Sequence, residues 1–251
     1  MSLRLTGKAA EGAPTLVGLP DVGLVGTIAT SYIVANSDSK FVGSIDLEGA
    51  PPVVVVQDGK ILDPIRLYRV EVSGRPTFSV VYSDIPVFPQ LIWSTAKGIV
   101  DFAVETSSEL IVSLGGVPEP NRFEIERPRV FVVSNDRQLA EDLAKKGGAE
   151  PFETGFITGH NAALIKVGTE RGLKILLVLA QSHLQYPDPG ASAEILTFIN
   201  KVFKTTYDVQ PLIEQADSIR LQLRDLMRRT AVSMSKIPKG LELEAPPGYI
   251  R

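Results

Sequence analysis

The nine residues Gly18-Leu19-Pro20-Asp21-Val22-Gly23-Leu24-Val25-Gly26 carry the glycine-rich spacing from which phosphate-binding turns are built. Thr15-Leu16-Val17 before them reads as a buried strand and Ile28 to Val34 after them as a helix. The turn would therefore open a helix, whose free N–H groups and dipole attract an anion. The residue types inside it oppose that chemistry. A P-loop places Lys and Ser/Thr directly after its second glycine, whereas Leu24 and Val25 follow Gly23. A dinucleotide fingerprint needs three glycines as G-x-G-x-x-G, and Asp21 stands where the first belongs, ahead of Gly23 and Gly26. Its carboxylate would repel a pyrophosphate, and Pro20 removes one backbone donor from any cradle. One residue speaks for a nucleotide. Asp46, at the end of the next predicted strand and about twenty residues past Gly26, has the position of a ribose-binding acid. Two readings stand: a tight turn whose glycines allow helix and strand to pack closely, which most of these residues favour, and a nucleoside or nucleotide site on the Gly18 to Gly26 loop.

Few other residues could do chemistry. No G-x-S-x-G elbow, H-E-x-x-H pair or EF-hand loop occurs, so no catalytic residue, metal ligand or cofactor is assigned. His160 follows Gly159 at a predicted helix start and His183 follows a predicted strand, so both could face one ligand edge with Asn161, Gly115 and Gly116. A loop histidine bonded to nearby backbone is the plainer reading. Asp188, in Tyr186-Pro187-Asp188-Pro189-Gly190-Ala191, reads as a helix N-cap with Pro189 at the first helical position. Glu105 and Glu109 read as solvated loop charges.

The elements that must position these residues follow from hydrophobic period and punctuation. Strands are predicted near Leu16 and over Phe41 to Ile45, Val53 to Gln57, Ile61 to Val72, Phe78 to Tyr82, Leu110 to Leu114, Val130 to Val133 and Ile175 to Ala180. Helices are predicted over Val22 to Val34, Gln90 to Val104, Arg137 to Lys146, Asn161 to Arg171, Ala191 to Phe203 and Leu212 to Lys236. The alternation predicts an α/β fold with a mostly parallel sheet covered on both faces. Asp58-Gly59 predicts one antiparallel hairpin, between Val53 and Val72. Ligands of such sheets bind beyond the carboxyl ends of the strands.

The 251 residues, 44% hydrophobic, suffice for a buried core, and a boundary falls near Pro211. The organisation expected is an α/β domain over 1–210, a helix over 211–237 and a tail over 238–251. Leu212, Ile219, Leu223 and Leu226 begin a heptad-like seam before the stripe drifts to Met234, so this helix either packs on its own domain or joins subunits. Lys and Arg number 26 against 29 Asp and Glu, a net charge of −3 that carries no footprint for nucleic acid or anionic membrane. Cysteine is absent, which excludes disulfides, thiolate catalysis and Cys-ligated metals and fits an intracellular, cytoplasmic protein. Neither an export signal nor a membrane span is expected.

Gly18 to Gly26, Gly43-Ser44-Ile45-Asp46, Leu114-Gly115-Gly116-Val117-Pro118, Gly159-His160-Asn161-Ala162-Ala163-Leu164 and Pro187-Asp188-Pro189-Gly190-Ala191, in that order, resemble the proteasome assembly chaperone family, most closely its archaeal-type members. The resemblance runs from Leu16 to about Leu212. It implies a three-layer α/β/α domain similar to the nucleoside phosphorylase fold but without that fold's catalytic groups. It also implies homo-oligomers, no enzymatic activity and proteasome α-subunits as partners. Some members are labelled as similar to ATP-grasp enzymes, which the failed phosphate loop does not support. Chaperones of this family can dock through a hydrophobic–tyrosine–any-residue tail. Here the last residues are Tyr249-Ile250-Arg251 after Gly248, one residue out of that register.

Overall fold

The computed structural model of the chain describes residues 1–57 and 59–221. A nine-stranded sheet runs through the molecule in the order β1-β3-β6-β7-β2-β8-β11-β9-β10. Its strands are β1 (Ser2–Leu5), β2 (Thr15–Gly18), β3 (Asp38–Asp46), β6 (Ile65–Val72), β7 (Arg75–Ser83), β8 (Leu110–Pro118), β9 (Val130–Ser134), β10 (Glu150–Pro151) and β11 (Lys174–Ser182). The central strands β7, β2, β8 and β11 are parallel, as their near-continuous apolar runs predict. The flanks are antiparallel except for β10, which runs parallel to β9, so the sheet as a whole is mixed.

Helices cover both faces. α1 (Val25–Ala35), α3 (Arg137–Gly147) and α5 (Pro189–Phe203) share one core with Leu16, Val112, Leu114 and Val178. α2 (Ile92–Glu105) and α4 (Gly159–Glu170) share the other with Val17, Ile111, Ile175 and Leu177. Neighbouring residues such as Leu16 and Val17 feed opposite cores because strand side chains alternate between faces. This is the three-layer α/β/α architecture.

Three details depart from the sequence expectation. The strand expected over Ile61 to Val72 is broken at Asp63-Pro64. Its first part, β5 (Lys60–Leu62), pairs with β4 (Val55–Gln57) as a separate two-stranded sheet, antiparallel as expected. The turn residue Asp58 lies outside the described residues. A second hairpin, β6 to β7, turns at Ser73-Gly74, both at positive φ (54° and 72°), the backbone that a tight right-twisted hairpin requires. The edge strand β1 pairs with β3 and was not anticipated.

A last helix, α6 (residues 210–221), follows the body. Leu212 is buried in the first core at 4% exposure, and Ala216 and the half-buried Ile219 lie on the same side of α6. Leu223, Leu226 and Met234, and Tyr249-Ile250-Arg251, lie outside the described residues. Among the described residues no helix is long and apolar enough to cross a membrane.

Candidate functional site

The loops that leave β2, β8 and β11 converge with the start of α4 at the carboxyl edge of the central strands, where α1 lies on one face and α4 on the other. That crevice is where a doubly covered sheet binds its ligand. Here the chain's own side chains occupy it. Asp21 turns its carboxyl inward, and Oδ2 accepts the Gly116 N–H at 3.1 Å. The Gly26 amide at the start of α1 also stabilises its charge, so Asp21 takes the anion position of a helix N-terminus. Among the described residues Oδ1 is buried without a partner. Burial outweighs the amide bonds and raises the Asp21 pKa to about 7.

The glycines are explained by what touches them. A side chain on Gly26 would overlap the Leu114 carbonyl, one on Gly115 the Asp21 carboxyl, and one on Gly23 the Ser182 hydroxyl. Gly18 and Gly116 are likewise closed off, by Thr30 and by the Val22 carbonyl. Gly23 and Leu24 both adopt left-handed backbone (φ 64° and 52°), an uncommon conformation for leucine that brings the chain into α1.

Beside Asp21, Asn161 Oδ1 accepts the buried Ser113 hydroxyl at 2.7 Å. His160, the preceding residue, is buried, its Nε2 has no partner among the described residues, and burial lowers its pKa to about 4. It is therefore neutral at physiological pH. The expectation that His160 and His183 face one ligand is not met, because His160 begins α4 in one layer and His183 leads toward α5 in the other. His183 packs against Phe123, with ring centroids 4.2 Å apart, and near Tyr186. Burial lowers its pKa as well.

Asp188 caps α5, accepting the Ala191 N–H at 2.9 Å, with Pro189 in the first turn. It also accepts both Nε and Nη2 of Arg122, at 2.7 and 3.0 Å, and the His183 N–H at 3.1 Å. Arg122 and Asp188 are each 2% exposed. The Asp188 N–H binds the Gly23 carbonyl at 2.8 Å, which ties this ion pair to the glycine turn. Arg122 escaped the sequence reading: it lies 66 residues from Asp188 in a loop with no motif of its own. Asp46 is not brought to the crevice. β6 and β7 stand between β3 and β2, a separation of roughly 14 Å at normal strand spacing, and Asp46 pairs with Arg4.

The model of the PAC2 family matches residues 15–227. This chain belongs to the PAC2 family. Another sequence, the uncharacterized protein MJ0106 of Methanocaldococcus jannaschii, is 29% identical over 91% of each chain. Among solved structures, Pyrococcus furiosus PbaA, described as an archaeal homolog of proteasome-assembly chaperone, superposes with a TM-score of 0.78. It is 27% identical, over 93% of this chain and 95% of its own. Pyrococcus furiosus PbaB, described as an archaeal proteasome activator, shares the fold at a TM-score of 0.78 and 21% identity, over 90% of this chain and 98% of its own. The PAC2 glycine turn in this chain is thus part of a packed, self-occupied crevice in a fold shared with these proteins.

Proposed function

We propose that this PAC2 protein is a non-enzymatic, self-associating cytoplasmic scaffold that engages proteasome α-subunits or a related assembly. The observation that carries the reading is Asp21. Its carboxyl holds the amides that a bound phosphate would need, so the edge of the sheet is spent on the protein's own packing. The description of PbaA as a homolog of a proteasome-assembly chaperone supports the choice of partner. In this proposal residues 1–210 form the body. Because Leu212 is committed to the core of its own chain, Leu223, Leu226 and Met234 carry the contact between subunits. Tyr249-Ile250-Arg251 then serve as a docking tail.

Native mass spectrometry of the full chain mixed with α-subunits from the same source tests this. Mixed species at micromolar concentration are expected, and unmixed species alone would refute the partner. In parallel, nucleosides, nucleotides and phosphate are expected to leave the melting temperature unmoved at the crevice. A ligand at a hundred times its Kd would add about 2.7 kcal/mol of stability, and such a gain abolished by Asp21→Lys would restore the nucleotide reading.

A further inference from the structure

The β4–β5 hairpin is not part of the nine-stranded sheet. Among the described residues no backbone hydrogen bond joins either of its strands to another element, so each keeps one open edge. Val56 lies opposite Ile61 on one face of the hairpin, and both are exposed, at 69% and 74%. Val55 lies opposite Leu62 on the other face, and that pair is half-buried. Val53 and Val54, just before β4, are exposed as well. An antiparallel strand with one wet face normally alternates apolar and polar residues, whereas this run is valine on both faces. A two-stranded hairpin is marginal in water by itself, and a third strand or more over an apolar face is what stabilises it.

An open edge is a template for another strand, and native proteins blunt it with lysine, proline or charge. β5 is blunted in this way, by Lys60 at its start and Asp63-Pro64 just past its end. β4 is not, because Val53 to Gln57 holds neither a charge nor a proline. The run is also centred on Val55. An antiparallel copy of the same strand therefore sets Val55 against the partner's Val55 on a two-fold axis, Val54 against the partner's Val56, and Val53 against the partner's Gln57. The equivalent contact through β5, centred on Ile61, makes the two Lys60 residues like-charged diagonal neighbours, roughly 7–8 Å apart at the backbone. Charge therefore selects β4.

We propose that β4 is a self-association surface: it pairs antiparallel with β4 of a second copy of this chain, and the two hairpins form one four-stranded sheet between subunits. This contact is additional to the one assigned to Leu223, Leu226 and Met234. It rests on the self-association part of the scaffold reading and is independent of any proteasome partner. The chain has no cysteine, so a single introduced thiol reports the pairing directly. Opposed α-carbons in an antiparallel pair lie about 4.5–5.5 Å apart, within disulfide reach. Under mild oxidation Val55→Cys is expected to give a disulfide-linked dimer faster than Ile61→Cys, although Ile61 is the more exposed residue. Sedimentation velocity is expected to show association of the full chain weakened about tenfold or more by Val56→Lys, which places a charge on the open edge, and retained by Val56→Thr. Both substitutions are at an exposed position, and unchanged far-ultraviolet circular dichroism confirms the fold. Cross-linking no faster at position 55 than at 61, or association that Val56→Lys leaves untouched, overturns the proposal and spares the scaffold reading. A parent chain that stays monomeric throughout the micromolar range overturns both.

Discussion

Asp21 and Asp188 are two inward-facing carboxylates at the same edge of one sheet, and they are treated in opposite ways. Asp188 has a bidentate arginine and two backbone donors, so its charge is balanced where it is buried. Asp21 has backbone amides and no cation within its bonds, and burial lifts its pKa to about 7. The difference teaches where this fold draws its rigidity. A charged knot holds the Gly23 carbonyl, α5 and the Arg122 loop together, while a carboxyl that ionises only near neutral pH fills the crevice beside it.

The largest expected effect comes from breaking the balanced pair. Arg122→Met leaves a buried carboxylate without its cation and should cost about 3–5 kcal/mol of unfolding free energy. Adding Asp188→Asn should recover much of that loss, since asparagine still caps a helix. Urea unfolding of the two single variants and the double variant measures the coupling, and strict additivity would show that the pair acts as two unrelated residues.

The next effect concerns pH. Asp21 has a folded pKa above its unfolded value, so its contribution favours the fold below about pH 4 and is lost as pH rises toward 7. His160 is shifted the other way. Its folded pKa lies below its unfolded value, so its contribution is present above about pH 6.5 and is lost as pH falls toward 4. The two terms oppose each other across the same window, each at most about 4 kcal/mol. Stability of the parent protein should therefore vary little between pH 4.5 and 6.5 on their account (about two units inside both windows). Asp21→Asn should expose the acid loss due to His160, and His160→Gln should expose the acid gain due to Asp21. Melting curves across that range in the two variants should slope in opposite directions; parallel slopes would contradict the assignment.

The smallest effect sharpens the uncharged side of the comparison. Ser113→Ala removes the hydroxyl donor to Asn161 and should cost about 1–2 kcal/mol, leaving the binding of Arg122 to Asp188 intact. Thermal unfolding together with amide exchange at Ala191 distinguishes this local loss from a wider collapse of the edge.

Much of this architecture could be read from residue order. The apolar runs of β2, β8 and β11 are continuous because helices cover both faces, and the N-cap role of Asp188 was legible from the prolines around it. The departure of Asp21 from the dinucleotide pattern was itself the clue that the crevice is self-occupied. What failed to show depends on strand order. Asp46 sits at the expected distance in sequence, but the hairpin β6–β7 inserts between its strand and the glycine turn. Ser73-Gly74, which makes that hairpin, is a weaker punctuation mark than the Asp-Gly pair ahead of it. Arg122 carries no local pattern either, since an arginine in a loop becomes informative only when its distant neighbours are known.

Leu212 sits in the first core, Ala216 lies against Gly190, and Arg220 reaches the Ile125 carbonyl. Three footings along one side of α6 fix the direction of that helix against the α/β layers. Loosening the footing at Leu212 would act as a change of aim.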